Sequence, residues 1–319
     1  MSPVSLSASL YEDRKAGRVC MSITSQVAIV TGAGTGLGKT YAVELAKRGA
    51  RVVVNDLGGS RDGQGASSKA ADLVVEEIKA AGGEATANYD SVATREGGEN
   101  IIKTAVDAFG KVDILINNAG ILRDKSIVKM SPEEWQLVVD VHLQGAFYVT
   151  QPAFALMKEN AYGRIVNTAS GAGLYGNFGQ INYASAKMGL VGMMHSVNTE
   201  GAKYNIKCNT IAPIAASRLT EDIMPPEVFS KLDPRFVPPL VLYLVSEEVQ
   251  DANMIFNCAA GWFSRTAIVC GTGTFIGDGK RDIAVEEIKE AWGDITSMEE
   301  TKELNHVNDS FAYLSKVFQ

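Results

Sequence analysis

The sequence predicts an α/β fold: one doubly wound parallel sheet of about six to seven strands with helices on both faces, followed by a C-terminal extension. Three observations carry this expectation. From Val27 onward, short apolar runs that read as strands covered on both faces alternate with stretches of helical spacing. The first run ends in a glycine-rich loop that leads into a helix. A later run ends at Ser170 and is followed by Tyr183 and Lys187, four residues apart, which a helix would place side by side on one face. The domain reading is a flexible N-terminal extension over 1–21, the sheet domain over 22–262 and a C-terminal extension over 263–319.

The first strand, Gln26 to Thr31, closes on Thr31-Gly-Ala-Gly-Thr-Gly-Leu-Gly38, and a helix follows. Gly32, Gly36 and Gly38 allow a tight turn and close approach to a pyrophosphate seated at the helix N-terminus. Turns need glycine for purely structural reasons as well, and the strand-loop-helix context is what favours a dinucleotide. The second strand runs from Arg51 to Val54 and ends at Asn55-Asp56, roughly twenty residues after the loop. A carboxylate there accepts ribose hydroxyls and repels an extra phosphate, so Asp56 argues for NAD over NADP, unless it is an ordinary loop residue. Residues from Leu57 are rich in glycine and serine and read as a long loop. Glu84 to Tyr89 is a short strand ending at Asp90-Ser91, and a helix through Ile101 and Phe109 follows it.

Val112 to Ile116 is another buried strand, closing on Asn117-Asn118-Ala119-Gly120, small and amide residues that suit either a cofactor or a turn. Ser131-Pro-Glu-Glu134 is a helix start with a capping serine, and that single helix is expected to carry Val138, His142 and Phe147. Ser170 ends the β-branched run Ile165, Val166, Thr168, at the carboxyl edge where open α/β sheets bind ligands. An ammonium beside a phenol favours the phenolate, so Lys187 is expected to bring the Tyr183 pKa down from about 10 towards neutrality. The Tyr183 helix is expected to run to about Tyr204, with a strand over Ile206 to Ile211. Leu219 to Pro239, rich in proline, reads as a lid over substrate or as a plain surface connection. Leu240 to Val245 looks like a helix, Asn253 to Asn257 like a last strand, and Ile283 to Trp292 like one amphipathic helix.

Composition narrows the function classes. The chain has 319 residues, 46% hydrophobic and 21% charged, with a formal net charge of −7. That balance argues against nucleic acid as a partner. No apolar run approaches the ~18 residues of a membrane helix, so no membrane role is expected. Glu12, Asp13, Arg14 and Lys15 stand where a secretion signal would be apolar, and Met21 offers a second start. The four cysteines form no CxxC pair and read as reduced, buried thiols rather than metal ligands or disulfides; no metal is expected.

Together, Thr31 to Gly38, Asn117 to Gly120, and Ser170 with Tyr183-x-x-x-Lys187 resemble the short-chain dehydrogenase/reductase superfamily over about Val27 to Gly261. Within it, NDLGG at Asn55, NYDSV at Asn88, NNAGILRD at Asn117, VHLQG at Val141 and YGNFGQINYASAK at Tyr175 look like the dehydrogenase part of peroxisomal multifunctional enzyme type 2. The resemblance implies a single Rossmann-type domain that oxidises (3R)-3-hydroxyacyl-CoA to 3-oxoacyl-CoA with NAD. It implies Tyr183 as general base, Lys187 on the nicotinamide ribose, and Ser170 on the developing carbonyl. It places Gly32, Gly36, Leu37, Gly38, Asp56, Asp90, Ser91, Asn118, Ala215 and Ser217 around the cofactor, together with Tyr183 and Lys187. His142 stands where most relatives carry a relay asparagine, and either relays protons or packs a helix. A homodimer or homotetramer is implied by the superfamily alone.

Three departures qualify this resemblance. Pro213-Ile214 replaces the usual Pro-Gly after the sixth strand. The hydratase and sterol-carrier segments are missing, so a stand-alone dehydrogenase is expected. The C-terminal Lys-Val-Phe-Gln is no peroxisomal address, which points to the cytoplasm. The same catalytic residues would also serve an NAD-dependent hydroxysteroid or steroid side-chain acyl-CoA dehydrogenase, or a 3-oxoacyl carrier-protein reductase, which Asp56 speaks against. A non-catalytic NAD-binding regulator is a further reading. In so acidic a chain, attraction to the phosphates of a CoA thioester would need a local basic cluster, for which Arg123, Lys125 and Arg218 are the candidates.

Overall fold

The computed structural model describes residues 23–216 and 225–314. Its centre is an eight-stranded sheet in the order β3-β2-β1-β4-β5-β6-β7-β8. The strands are β1 Val27–Thr31, β2 Arg51–Asn55, β3 Glu84–Asn88, β4 Ile114–Asn117, β5 Gly163–Thr168, β6 Ile206–Pro213, β7 Ile255–Ala259 and β8 Trp262–Thr266. β1 pairs in parallel with β2 on one side, Thr31 opposite Asn55, and with β4 on the other, Val30 opposite Ile116. The chain thus winds outward in one direction to β3, then returns past β1 and winds the other way. The carboxyl ends of β1 and β4 flank the resulting switch point, where a crevice opens.

Strand alternation feeds two cores. Ala28 and Val30 of β1 point into one layer with Tyr41, Leu45, Val52 and Ile78, whereas Val27 and Ile29 point into the other with Ile101, Val149, Met157 and Met194. The first layer is built on helices α1 Gly36–Lys47 and α2 Lys69–Ala80. The second holds α3 Arg95–Phe109, α5 Gly145–Glu159 and α7 Ile181–Gly201; α4 Pro132–Val139 packs on α7, and the short α6, Gly171–Tyr175, follows β5. Burial on both faces explains why β1, β4 and β5 read as unbroken apolar runs in sequence.

Two expectations are corrected, for the helix at Ser131 and the stretch Ile283 to Trp292, and two are borne out with additions. The helix begun at Ser131 is not continuous, because Asp140–Gln144 forms a π-turn between α4 and α5. An eighth strand, antiparallel and on the edge, extends the sheet of six to seven parallel strands. It returns from β7 through Ala260 and Gly261, both at positive φ (47° and 86°), the conformation of a two-residue hairpin turn. The stretch Ile283 to Trp292 is not one helix but α10 Val285–Glu290 and α11 Trp292–Thr296. The expected helix over Leu240 to Val245 starts earlier, as α9 Pro238–Leu244, with the one-turn α8, Pro226–Phe229, before it.

Two compact units part between Arg265 and Thr266. The second contains α10, α11 and an antiparallel pair, β9 Val269–Gly271 with β10 Thr301–Glu303. Among the described residues no helix is long and apolar enough to cross a membrane.

Candidate active site

The carboxyl ends of the strands surround a cleft of about 340 Å³ lined by the glycine loop, Asp56, Asp90, Ser91, Asn118, His142, Ser170, Tyr183, Lys187 and Ala215. The fold therefore gathers residues that are far apart in the chain into one place. Ser217 and Arg218, and residues 219–224 of the expected lid, lie outside the described residues.

At one end, α1 begins at Gly36 with no side chain capping it, so its first-turn N–H groups remain donors for an anion. A Cβ on Gly38 would stand 2.2 Å from the carbonyl oxygen of Gly32, so the loop folds against the helix only with glycine there. Asp56 sits at the tip of β2. One of its oxygens accepts from Gly34 N–H at 2.7 Å and the other from Gly58 N–H at 2.7 Å. These bonds orient the carboxylate and still leave acceptor capacity for ribose hydroxyls. The donor-rich helix start and the fixed carboxylate together fit the pyrophosphate and ribose of a dinucleotide.

Asp90 and Asn118 serve the walls of the cleft. The Asp90 carboxylate takes hydrogen bonds from the Asn88 and Asn100 amides at 2.7 and 3.1 Å. Asn55 donates to Asn88 Oδ1 at 2.8 Å and to the Asp90 carbonyl at 2.9 Å. The tips of β2 and β3 are thereby locked. Asn118 Nδ2 donates to the carbonyls of Thr31 and Gly32 at 3.0 and 3.1 Å, bracing the glycine loop. Asn55 and Asn88 stood in the sequence only as motif positions, and their bracing role was missed, although paired polar residues at the ends of neighbouring strands were a visible signal.

The opposite end of the cleft carries the reactive groups. Ser170 caps α6, its Oγ accepting from Ala172 N–H at 3.2 Å, and shares a hydrogen bond with the Tyr183 phenol. Lys187 is buried, and its Nζ donates to the Thr168 carbonyl at 2.5 Å while lying 5.5 Å from the Tyr183 ring centroid. The electrostatics correct the expected phenolate. Burial raises the Tyr183 pKa, with the Ser170 hydrogen bond opposing it and Asp124 adding to it. Lys187 is itself pushed down to about 7 by burial. Desolvation penalises both charged forms, and an ammonium turned towards Thr168 is poorly placed to offset it.

His142 lies in the π-turn, 2% exposed, its ring edge-on to Tyr183 at 5.1 Å between centroids. Its Nε2 faces the backbone of Ile121, 3.0 Å from the N–H and 2.8 Å from the carbonyl. Its Nδ1 is buried without a protein partner, as is Asn117 Oδ1. Burial first, and the charge of Lys187 second, hold the imidazole pKa well below its ordinary value. A cavity of about 10 Å³, the size one water needs, is bordered by His142, Asn117, Thr31 and Lys187.

Chemically, the arrangement can hold a hydroxyl or carbonyl oxygen between Ser170 and Tyr183 and move a proton at the phenol. Comparison with known proteins agrees. Residues 26–223 match the family model described as short chain dehydrogenase. The chain is 54% identical over 281 residues to peroxisomal multifunctional enzyme A of Dictyostelium discoideum, covering 88% of this chain and 62% of that one. It is 50% identical over 280 residues to a short-chain type dehydrogenase/reductase of Mycobacterium tuberculosis, covering 88% of this chain and 97% of that one. Among solved structures, full-length peroxisomal multifunctional enzyme type 2 of Drosophila melanogaster superposes with a TM-score of 0.79 at 41% identity, over 93% of this chain and 50% of that one. The chain thus spans from 26% to 62% of the length of the multifunctional relatives it matches. Motifs, sheet order and matched residues together place the chain in the short-chain dehydrogenase/reductase family of nicotinamide-dependent oxidoreductases.

Proposed function

We propose that this enzyme oxidises (3R)-3-hydroxyacyl-CoA to 3-oxoacyl-CoA with NAD. The observation that carries the reaction type is the convergence of Ser170, Tyr183 and Lys187 at the end of β5, on the same cleft as the glycine loop and Asp56. The choice of acyl-CoA rests on the resemblance of the segments around Asn55, Asn88, Val141 and Tyr175 to the dehydrogenase part of multifunctional enzyme type 2. The choice of NAD rests on Asp56, whose carboxylate would meet an adenosine 2′-phosphate with like charge.

Ser170 Oγ and the Tyr183 phenol bind the substrate oxygen from two sides. In oxidation Tyr183 acts as the phenolate, its own proton having first left towards Lys187 and a buried water; it then takes the hydroxyl proton, and Ser170 donates to the carbonyl oxygen that forms. Bound NAD supplies the acceptor for the hydride that leaves the carbinol carbon. Lys187, once its ammonium turns from Thr168, stabilises the phenolate that precedes this proton transfer and reaches towards the nicotinamide ribose. His142 spends Nε2 on Ile121, so its contribution is narrowed to holding a water with Nδ1 beside Lys187. From there the proton is passed on. Ser170, Gly36, Leu37, Asp90, Ser91, Asn118 and Ala215 complete the walls of the cleft.

The test is a turnover panel with both enantiomers of straight-chain 3-hydroxyacyl-CoA, estradiol, steroid side-chain CoA thioesters and 3-oxoacyl thioesters, each with NAD and NADP in the appropriate redox form. The expected result is NAD-dependent oxidation confined to the (3R) straight-chain thioesters. Activity on steroids alone overturns the substrate, and a clear preference for NADPH overturns the cofactor.

A further inference from the structure

Asn182 has no role in the chemistry described so far, yet it is completely buried one residue before Tyr183. Helix α7 starts at Ile181 without a side-chain cap from Gln180, so its first-turn N–H groups need other acceptors. Asn182 Oδ1 accepts the N–H of Tyr183 at 2.7 Å. Its Nδ2 donates to the carbonyls of Arg123 and Glu134 at 3.0 and 3.1 Å. Both amide protons and the amide oxygen are thus engaged, and they join three segments: the start of α7, the loop after β4, and α4.

That loop is itself held residue by residue. Ile121 meets His142 Nε2, and Leu122 N–H donates to the Arg61 carbonyl at 3.0 Å. Arg123 Nε donates to the Asp62 carbonyl at 2.8 Å. Asp124 accepts from Gln180 Nε2 at 2.8 Å, and Lys125 N–H donates to the Gly179 carbonyl at 2.8 Å. Arg61 and Asp62 belong to the glycine- and serine-rich loop after β2, whose ends are closed by Ser67 N–H on the Leu57 carbonyl at 2.8 Å. The loop after β4 is therefore a fixed reference, braced from the dinucleotide side by the loop after β2 and tied to the tyrosine helix by Asn182.

We propose that Asn182 is a positioning residue for Tyr183. Through Arg123 and Glu134 it sets the pitch and direction of the first turn of α7, and so the place of the phenol relative to Ser170 and the reacting carbon. The inference rests on the reading of Tyr183 as the group that exchanges the proton. A plain helix-capping role makes a different prediction, and Asn182→Asp separates the two. Aspartate keeps an oxygen for the Tyr183 N–H and adds a charge that a helix N-terminus favours, but sets its other oxygen against the carbonyls of Arg123 and Glu134.

The experiment measures kcat and KM of full-length Asn182→Asp and Asn182→Ala with NAD and a straight-chain (3R)-3-hydroxyacyl-CoA, their thermal unfolding, and the crystal structure of Asn182→Asp. In both variants kcat is expected to fall on the order of 10²-fold with KM changed by less than about threefold, as for a displaced reacting group. The crystal structure is expected to show the Tyr183 hydroxyl moved from Ser170 by about 1 Å or more. Asn182→Asp with wild-type kcat and an unmoved phenol overturns the proposal, whatever its melting temperature. Tyr183→Phe is assayed alongside. If it turns over normally, the reading of Tyr183 falls; if it is inactive while Asn182→Asp and Asn182→Ala are not, only the positioning role falls. The crystal structure decides the positioning even if the thioester is not the substrate.

Discussion

Lys187 is the residue on which stability and chemistry conflict. A primary amine buried beside Tyr183 and His142 is pushed down to about 7, far from the value of an exposed lysine. Between about pH 7 and 10.5 the unfolded chain holds a proton that the folded chain has lost, so stability rises with pH across that window. Below about pH 7 the side chain is charged in both states, and the full cost of burying the ammonium is present. Lys187→Met, similar in length and uncharged, is expected to unfold at a higher temperature than wild type at pH 6, by a free energy on the order of a few kcal/mol. Loss of the bond to the Thr168 carbonyl offsets about 1 kcal/mol of that gain. The gap is expected to narrow by pH 9, while activity is lost at every pH. Calorimetry of both proteins at the two pH values checks this, and a gap that does not depend on pH would refute it. His142, held well below its usual pKa by burial, adds to the acid sensitivity of the wild type below about pH 6.5.

The element that governs the other end of the site is the turn from β1 into α1. Gly38→Ala would set a methyl group 2.2 Å from the Gly32 carbonyl oxygen and 2.6 Å from Asn118 Nδ2. Both are backbone or backbone-bonded, so α1 must move away from the loop. The expected cost is about 1–3 kcal/mol of stability and NADH affinity reduced by at least about tenfold, since loop N–H groups lose their shared direction. Equilibrium unfolding and NADH fluorescence titration measure the two effects. This element was legible in the sequence because its signal is local: a glycine spacing between a buried strand and an amphipathic helix. The helix start at Ser131 was equally legible, and its reciprocal bonds to Glu134 are present at 3.1 and 3.2 Å. The π-turn at Asp140–Gln144 was hidden because the residues packed against it are distant in sequence. Gly120 packs so closely on the His142 ring that a Cβ would stand 2.3 Å from Cε1, and Gly145 packs against Val92. β8 was hidden for a simpler reason, since an exposed edge strand has no buried run and alanine is a weak turn signal. Likewise the four-residue spacing of Tyr183 and Lys187 revealed their shared helix face but not that the ammonium bonds to Thr168.

At the scale of the whole molecule, the two compact units differ in what could hold each one together. Both hydrophobic layers are drawn entirely from residues up to Cys258, within the unit that ends at Arg265. The described residues of the second unit include none that is buried, while Trp292, Phe275, Val285, Met298 and Phe311 are exposed. A segment of that size with no core cannot offset the entropy of ordering its chain. A chain cut after Arg265 is therefore expected to fold and to bind NADH with affinity within a few-fold of the full chain, because every cleft residue it needs is retained. The fragment from Thr266 onward is expected to be unstructured alone. Circular dichroism of both pieces, with NADH titration of the first, checks this. A cooperative thermal transition in the isolated C-terminal fragment would show that it carries stabilising contacts of its own. Exposed apolar side chains in that unit also suit an association between copies of the chain. If the proposed homodimer or homotetramer uses them, light scattering will give a lower mass per particle, counted in chains, for the shortened protein than for the full one. Equal assembly numbers in the two would place the contact on the sheet domain instead.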